Sequence, residues 1–465
     1  MMWSDDRELA RLIAERADAC GGRAYYVGGC VRDGLGGIEA KDIDIEVHGI
    51  SYEKLTEILG ELGTVREMGA SFGVLGLGGS GLDIAMPRKE KATGRGHRDF
   101  SVYTDPFIGP EKAALRRDFT INAMMQDVLT GELLDFYGGR QDLEKGIIRH
   151  VNSESFAEDP LRVLRAAQFA ARFNFSVAEE TVELCSGMEL SALSRERVLE
   201  EMKKALLKAG KPSIFFSVLK EMNQLSFWFP EVEALIGIEQ NPRFHPEGDV
   251  WNHTMKTLDA AAGLRAGAKE PFYYMLSALC HDFGKVTTTE TIDGVIHAYG
   301  HETAGEVPVR AFLGRITAEN ALIKYTVNMV LLHMRPNMLT SLKSSDKAYM
   351  RLFDSAVEPS DLLLLAKADY FGSLGNEDYA PLEKKLREEL KKYESLMRKP
   401  YVKGEDLINA GIEPGPVFKE ALDYAHKLRL AGIDKKTALS QTMGYIRKHG
   451  KNMNRQESAK NENMP

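Results

Sequence analysis

The sequence is poor in cysteine and contains no long apolar run. Its 465 residues include four cysteines, none of them in a C-x-x-C spacing. This usage argues against a disulfide framework and predicts reduced thiols in a cytoplasm. No stretch approaches the ~20 apolar residues of a membrane-spanning helix, and the first residues do not form a charged and then apolar signal segment. We therefore expect a soluble cytoplasmic protein with no membrane partner.

An excess of basic residues is also missing. The 60 lysines and arginines are outnumbered by 68 aspartates and glutamates, which gives a formal net charge of −8. A protein of this charge does not attract nucleic acid through a general basic field, so such a partner requires a local basic strip. The length is sufficient for three or four domains, and the oligomeric state is left open.

Residues 26–46 carry the first functional signal. Their sequence is YVGGCVRDGLGGIEAKDIDIE, in which an apolar strand breaks at Gly28 and Gly29 and a short helical segment follows. Glycines let backbone N–H groups approach a triphosphate at a helix N-terminus, and Arg32 can clamp its oxygens. The segment therefore predicts a phosphate-binding turn, although a GG pair alone is usually an ordinary turn.

The end of this segment presents two acids. In the alternation D-I-D-I-E, Asp42 and Asp44 point to the same face because side chains alternate along a strand. Two neighbouring carboxylates repel each other unless a cation lies between them, and proteins bind Mg²⁺ through one or two carboxylates plus substrate phosphates. The pair thus indicates Mg²⁺-dependent nucleotidyl transfer. Taken alone, D-x-D is more often a solvated strand edge.

The order GGxVRD and then D-x-D resembles the polymerase-β-type nucleotidyltransferases. Within that superfamily it resembles the class II tRNA nucleotidyltransferases (CCA-adding enzymes) and the bacterial poly(A) polymerases. The resemblance implies an α/β head whose catalytic acids are Asp42, Asp44 and a third carboxylate. Asp83 stands where the third is usual, directly after a GSG turn, and is either that carboxylate or a turn residue.

Residues 116–123, RRDFTINA, match the RRDFTxNA motif of the same family. Two adjacent arginines before a helix can grip phosphates while Asn122 reaches a sugar hydroxyl. We therefore expect Arg116, Arg117, Asp118 and Asn122 to bind the nucleotide. A helix cap with solvated charges is the simpler alternative.

Residues 88–109 are rich in glycine and basic side chains and lack periodicity, which predicts a mobile, cationic loop. The CCA-adding enzymes have a flexible loop at this point, which helps the switch from adding C to adding A. An ordinary surface excursion is the alternative.

The pattern EDPLR begins a helical segment at Glu158. Asp159 before Pro160 is a suitable N-cap, so a purely structural role is a good alternative. In the functional interpretation, the i,i+3 and i,i+4 spacings put Glu158 and Asp159 on one helix face with Arg162. A carboxylate there accepts from the exocyclic amine of C or A, and Arg162 donates to a ring nitrogen. This pairing selects CTP and ATP without a nucleic-acid template and resembles the EDxxR amino-acid template of the family. We include Arg165 in this nucleotide-binding group. Gln168 stands where relatives often have Arg, which would weaken an RNA contact.

The histidines cluster in the second half of the chain. Their order with two aspartates, H…HD…H…H…D, resembles the HD metal-dependent phosphohydrolase superfamily. The resemblance implies one metal on His253, His281, Asp282 and Asp369, a second reached by His301 and His333, and Lys285 facing the phosphate. Imidazole and carboxylate ligands suit Mn, Ni, Co or Fe, and a bound water can become the nucleophile. An inert remnant of such a site is the alternative.

Together these patterns predict an α+β multidomain protein with an α/β head and all-α neck, HD and tail regions. The expected ranges are head 1–150, neck 151–230, HD domain 231–395, tRNA-contacting tail 396–448 and disordered end 449–465. The expected activity is addition of CMP and AMP to the tRNA 3′ end from CTP and ATP, with Mg²⁺ in the head. Two rivals are a poly(A) polymerase or partial CC- or A-adding enzyme, and a phosphohydrolase that uses the head as an RNA-binding module. The paired acids argue against the second rival, because a binding module has no need of them.

Overall fold

The computed structural model of this protein describes residues 6–37, 42–67, 74–92, 100–374, 378–399, 401–414 and 417–461. The chain divides into two compact units. The first comprises Met1–Glu233 and Phe312–Ala318, and the second comprises Ala234–Ala311 and Glu319–Pro465. The predicted α+β class is confirmed, whereas the finer boundaries at residues 150 and 395 stay predictions.

A mixed seven-stranded sheet forms the centre of the first unit. The strands of the unit are β1 (Arg23–Val27), β2 (Ile43–His48), β3 (Val65–Glu67), β4 (Val74–Leu77), β5 (Leu82–Ala85), β6 (Arg88–Ala92), β7 (Phe100–Thr104), β8 (Met125–Asp127), β9 (Leu133–Leu134), β10 (Ile147–Ile148) and β11 (Ser176–Val177). The order in the sheet is β3-β4-β5-β2-β1-β8-β9. Strands β2 and β5 run parallel, and the other neighbours run antiparallel.

Helices cover this sheet and continue beyond it. The helices of the first unit are α1 (Asp6–Asp18), α2 (Gly29–Leu35), α3 (Tyr52–Leu62), α4 (Pro110–Leu115), α5 (Gly139–Lys145), α6 (Ser153–Ala157), α7 (Leu161–Phe173), α8 (Glu179–Ser186), α9 (Arg195–Lys208), α10 (Ser213–Glu221) and α11 (Pro230–Glu233). A 3₁₀ turn lies at Thr120–Asn122.

The alternation in β2 positions the first site. Ile43, Ile45 and Val47 enter a hydrophobic core that includes residues of α1 and α3. Because successive side chains alternate, Asp44 and Glu46 point away from that core.

Residues 88–109 contain more regular structure than their composition suggested. Strands β6 and β7 pair antiparallel, with Arg88 opposite Thr104. The expected absence of regular structure is therefore wrong for these strands, and residues 93–99 lie outside the described part of the chain. The sequence FSVYT in β7 is rich in residues that favour strands, and the surrounding glycines and basic residues obscured it.

The second unit is mainly helical. Its elements are α12 (Val250–Leu264), α13 (Pro271–Cys280), α14 (Lys285–Thr288), β12 (Glu290–Ile292), β13 (Val295–His297), α15 (His301–Ala304), α16 (Glu306–Ile316, whose end belongs to the first unit), α17 (Asn320–Leu332), α18 (Arg335–Ser341), α19 (Asp346–Ser355), α20 (Pro359–Leu374), α21 (Ala380–Arg398), α22 (Gly404–Asn409), α23 (Val417–Leu430) and α24 (Lys435–Asn461). Helices α12 and α20 pack closely at Gly372, where an added Cβ would lie 2.1 Å from Oγ1 of Thr257. None of the described helices is both long and apolar enough to cross a membrane.

The C-terminal end differs from its prediction. The sequence predicts disorder for residues 449–465, whereas in the structure α24 continues to Asn461, and 462–465 lie outside the described residues. The polar composition led to the wrong expectation, because Lys, Arg, Gln, Glu, Met and Ala are also good helix formers.

Candidate active sites

Two acids of the first unit lie side by side on neighbouring parallel strands. Asp44 on β2 is the register partner of Asp83 on β5. Asp83 is thus a strand residue, which excludes the turn alternative. Burial raises the pKa of Asp44, Asp83 and Asp42 raise it further, and Arg117 opposes them. Burial and Asp42 also raise the pKa of Asp83.

Carboxylates that raise one another's pKa values favour a cation between them. Asp42 is exposed and immediately precedes β2. Within the described residues, Asp42, Asp44 and Asp83 do not form a group whose ligand atoms all lie within 4.8 Å. Oxygen donors of this kind suit Mg²⁺, so the donor chemistry fits the expected ion.

A cleft of about 480 Å³ adjoins Asp44 and Asp83. Six arginines, two further aspartates and Glu46 are among the residues that line it: Arg88, Arg116, Arg117, Arg162, Arg165, Arg197, Asp118, Asp159 and Glu46. This is the local basic strip that the net charge of the chain does not reveal. Arginine clusters of this kind suit phosphate oxygens.

Glu46 is a cleft residue that the sequence interpretation missed. Its Oε2 lies 3.2 Å from Nη2 of Arg117, and its Oε1 lies 2.8 Å from Nε2 of His48. Burial alone would raise the pKa of Glu46, but His48 and Arg117 lower it below its ordinary value. The signal was present, since D-I-D-I-E continues the alternation by one acid.

The two glycines leave room for arginines. Gly28 has φ 67°, and an added Cβ would lie 3.4 Å from Nη1 of Arg117. At Gly29 the added atom would lie 3.6 Å from Nη2 of Arg32. Gly28 and Gly29 are not among the residues that line the cleft, and their contact with phosphate stays a prediction.

Several predicted nucleotide-binding residues instead bond to one another. The buried guanidinium of Arg32 donates to Oδ1 of Asp33 and, at 2.6 Å, to Oδ1 of Asn122. Asn122 donates to Oδ1 of Asp118 at 3.0 Å, and Oδ2 of Asp118 accepts from Arg165 at 2.5 and 2.8 Å. Burial raises the pKa of Asp118, but Arg165 and Asn122 hold it below its ordinary value.

This buried polar chain joins α2, the 3₁₀ turn and α7. Arg32 and Asn122 do not belong to the cleft lining, so their predicted contacts with phosphate and sugar stay predictions. Gln168 is 2% exposed within α7, which places it in the core rather than on a surface that could meet RNA.

Asp159 of the EDPLR pattern lies in the cleft lining and just before α7, whose N-cap is Pro160 rather than Asp159. Oδ1 of Asp159 accepts from the N–H of Leu161 at 3.0 Å, while Asp159 also lines the cleft and bonds to Arg197 at 2.9 Å. Arg162 lines the cleft as well and donates to the carbonyl oxygens of Ser155 and Arg116 at 2.7 and 2.9 Å.

Glu158 differs from its two neighbours. It follows α6 rather than lying on α7, does not line the cleft, and lies 3.3 Å from Nη2 of Arg116. The expectation that it shares one helix face with Arg162 is therefore wrong, because α7 begins after Pro160.

The predicted metal ligands of the second unit do converge. Nε2 of His253 lies 3.1 Å from Nε2 of His281 and 3.0 Å from Oδ1 of Asp369. Nε2 of His301 lies 3.3 Å from Nε2 of His333, and Oδ1 of Asp282 lies 3.4 Å from Nε2 of His301. These atoms form two groups of potential ligands, one with Asp369 and one with Asp282.

Three of the histidine rings are oriented by hydrogen bonds from Nδ1 to backbone carbonyl oxygens. Nδ1 of His281 faces the carbonyl oxygen of Ala278, and those of His301 and His333 face the carbonyl oxygens of Ala298 and Val330, all within 3 Å. A carbonyl oxygen only accepts, so each of these Nδ1 atoms carries a proton, and Nε2 is the ring nitrogen that remains to bind a metal ion. Nε2 atoms that face each other at 3.1–3.3 Å can bind a cation between them. The donor set therefore fits metal ions.

The charges of the second site are strongly coupled. Although burial raises the pKa of Asp282, His281 and Lys285 lower it well below its ordinary value. Burial lowers the pKa of His333 to about 3 with the help of His281. Nζ of Lys285 lies 2.7 Å from Oδ2 of Asp282 and donates to Gln240 at 2.7 Å.

Gln240 and Glu247 are further residues that the sequence interpretation missed. Both precede α12, and Glu247 contacts Nδ1 of His253. No spacing rule for metal ligands identifies these two residues, because they contact other residues of the site: Glu247 contacts His253, and Gln240 contacts Lys285.

Comparisons with known proteins match the nucleotidyltransferase part of the chain. A family model described as the poly A polymerase head domain matches residues 24–149, and one described as the probable RNA and SrmB-binding site of polymerase A matches 174–236. The multifunctional CCA protein of Thioalkalivibrio sulfidiphilus is 37% identical over 416 residues, 86% of this chain and 96% of the relative.

Two solved structures share the fold. The Bacillus stearothermophilus CCA-adding enzyme in complex with CTP aligns with a TM-score of 0.65 at 22% identity, over 96% of this chain and 100% of the other. The Thermotoga maritima CCA-adding enzyme complexed with tRNA aligns with a TM-score of 0.62 at 23% identity, over 94% and 95%.

Proposed function

This chain belongs to the family of multifunctional CCA proteins, and we propose on that basis that it is a CCA-adding tRNA nucleotidyltransferase. Its substrates are tRNA, CTP and ATP, which are the molecules named in complexes of its structural neighbours. The observation that carries the proposal is the pairing of Asp44 with Asp83 at the edge of an arginine-lined cleft.

The acids and arginines of the cleft have distinct roles. Asp42 and Asp44 would hold Mg²⁺, with Asp83 completing the acidic group. A bound Mg²⁺ would lower the pKa of the tRNA 3′-hydroxyl and neutralise charge on the triphosphate. Arg116 and Arg117 stabilise the negative charge that builds up on the phosphates and the leaving pyrophosphate. Glu46 keeps Arg117 in place through their 3.2 Å contact.

Base selection belongs to Asp159 and Arg162. Both side chains line the same cleft as the acids. A carboxylate accepts from the exocyclic amine that cytosine and adenine share, and a guanidinium donates to a ring nitrogen. Bonds to Arg197 and to two carbonyl oxygens orient the pair, so the protein itself replaces a nucleic-acid template.

The test supplies CTP and ATP separately to tRNAs that end before, within and after CCA, followed by sequencing of the 3′ ends. The proposal predicts two C residues from CTP on a tRNA that lacks CCA, and one A from ATP only on a tRNA that ends in CC. Long A tails identify a poly(A) polymerase. Addition of only the C residues, or of only the final A, identifies a partial CC- or A-adding enzyme.

A second candidate function is supported by the facing Nε2 atoms of the second unit. We propose that His253, His281, Asp282, Asp369, His301 and His333 hold one or two transition-metal ions, Mn, Ni, Co or Fe, and that Lys285 binds the substrate phosphate. The metal would activate a water for phosphoester hydrolysis. Hydrolysis of 2′,3′-cyclic nucleotides or of 2′-phosphates with added metal tests this activity. If the protein hydrolyses neither substrate and the purified protein contains no metal, the site is an inert remnant.

A further inference from the structure

A loop ahead of α12 supports the second site from behind. The loop comprises residues 239–249, and its Asp249 caps α12 by accepting from the N–H of Asn252 at 2.9 Å. One of its side chains, that of Glu247, is fully buried. The pattern of metal ligands assigns no role to this acid.

Glu247 contacts two histidines through a single oxygen. Its Oε1 lies 2.9 Å from Nδ1 of His253 and 2.9 Å from Nδ1 of His245. A carboxylate oxygen only accepts, so both ring nitrogens carry protons. With Nδ1 of His253 engaged by Glu247, Nε2 is the ring nitrogen left to bind a metal ion, and it is this atom that faces His281 and Asp369.

The side chains of Glu247 and His253 are both fully buried at this contact. Ser373 offers Nδ1 of His253 a weaker contact, with Oγ at 3.4 Å. Without Glu247, His253 therefore loses the partner that decides which nitrogen is protonated.

We propose that Glu247 is a positioning residue of the second site, which fixes the tautomer and ring orientation of His253 so that Nε2 faces a transition-metal ion. The inference rests on the proposed second function. Carboxylates behind a ligating histidine raise its basicity, and their loss weakens metal binding about 10–100-fold. The half-buried His245 assists by holding Oε1, and its ring packs edge-to-face on His253 at 4.9 Å.

A rival interpretation makes Glu247 a metal ligand itself. The ligand atoms of His245, Glu247 and His253 all lie within 4.8 Å of one another. The two interpretations make opposite use of Nδ1 of His253, which either donates to Glu247 or binds an ion. Positioning therefore predicts a change in affinity, whereas direct ligation predicts the loss of one bound ion.

Calorimetric titration of the full-length, chelator-stripped protein with Ni²⁺ or Mn²⁺ separates these outcomes. The variants are Glu247→Ala, Glu247→Gln and His245→Gln, with Glu239→Ala as the matched control because Glu239 is an exposed acid of the same loop. We expect Glu247→Ala to raise the Kd about 10–100-fold with unchanged stoichiometry. Glu247→Gln should lose less, since its amide oxygen still accepts from Nδ1, and Glu239→Ala should match the wild type.

Three results contradict the proposal in distinguishable ways. An unchanged Kd in both Glu247 variants overturns the positioning role alone. The loss of one bound ion overturns it in favour of direct ligation. A wild-type protein that binds neither metal overturns the second function and the positioning role together. Circular dichroism checks that each variant is folded, and Glu247→Gln and His245→Gln keep the test decisive if Glu247→Ala unfolds.

Discussion

The residues of one motif divide into those that line the cleft and those that bond to other side chains of the protein. In RRDFTINA, Arg117 lines the cleft, whereas the side chain of Asn122 forms hydrogen bonds with Arg32 and Asp118. The sequence predicted that these residues act together. It could not separate the two groups, because Arg32, one of the partners of Asn122, is 90 residues away in the chain and only folding brings the two side chains together.

Replacing Arg162 with Ala should loosen base choice more than it slows addition. A lost contact with a base edge costs about 1–3 kcal/mol of discrimination, roughly 5–150-fold. The measurement is kcat/KM for CTP against UTP and for ATP against GTP. Arg195→Ala is the control, because Arg195 is exposed, pairs with Glu196 and does not line the cleft. A variant that keeps wild-type ratios would show that Arg162 does not read the base.

At the scale of elements, buried contacts between helices and turns hold the sites in place. The strand alternation and the helical periods were readable from the sequence because they are local. The hairpin of β6 and β7 was missed, since strand pairing depends on register between segments rather than on local composition.

Asp118 connects α7 to the 3₁₀ turn through its bonds with Arg165 and Asn122. The contribution of these bonds to the free energy of unfolding should depend on pH. Because its pKa is lowered in the folded protein, the charged carboxylate stabilises the fold. That contribution is fully present above the ordinary Asp pKa of about 3.9 and is lost as the pH falls through the lower folded pKa. Urea unfolding of the wild type and Asp118→Asn should therefore differ at pH 7 and converge in acid.

The matched control for this experiment is Asp18→Asn, because Asp18 is exposed at the end of α1. Its unfolding free energy should follow the wild type at every pH. A gap between Asp118→Asn and the wild type that stays constant down to pH values below the folded pKa would contradict the assignment of the charge.

Gly284 allows the segment that follows His281 and Asp282 to lie against α15. An added Cβ would lie 2.0 Å from the carbonyl oxygen of His301 and 2.6 Å from the backbone nitrogen of Gly305. Overpacking of this kind typically costs about 1–3 kcal/mol. We expect Gly284→Ala to lower the thermal stability of the second unit and its metal affinity. In Gly263→Ala the new methyl meets no atom within 4 Å, so this control should retain both.

At the scale of the whole molecule, the two proposed sites lie in two different compact units. The order of motifs along the sequence was enough to predict both. The positions of Glu247 and Gln240 were not predictable, because support for a ligand follows from packing rather than from spacing. The helix at residues 449–461 also escaped prediction, since a polar segment can consist of good helix formers.

The two sites should respond independently to mutation. Changing His281 and Asp282 together to Ala should abolish hydrolysis and metal binding and should lower thermal stability in the presence of metal, because metal binding stabilises the folded unit. Nucleotide addition should survive, because Asp42 and Asp44 lie in the other unit. Loss of both activities in a folded double variant would contradict independence.

The central claim is tested most directly by sequencing the 3′ ends of a tRNA that lacks CCA after incubation with all four nucleotides and Mg²⁺. The wild type should produce ends that stop at CCA. Asp44→Asn, which keeps the shape of the side chain but removes its charge, should leave the tRNA unextended while the fold is retained. Addition of U or G, extension into long A tails, or undiminished addition by Asp44→Asn would contradict the account.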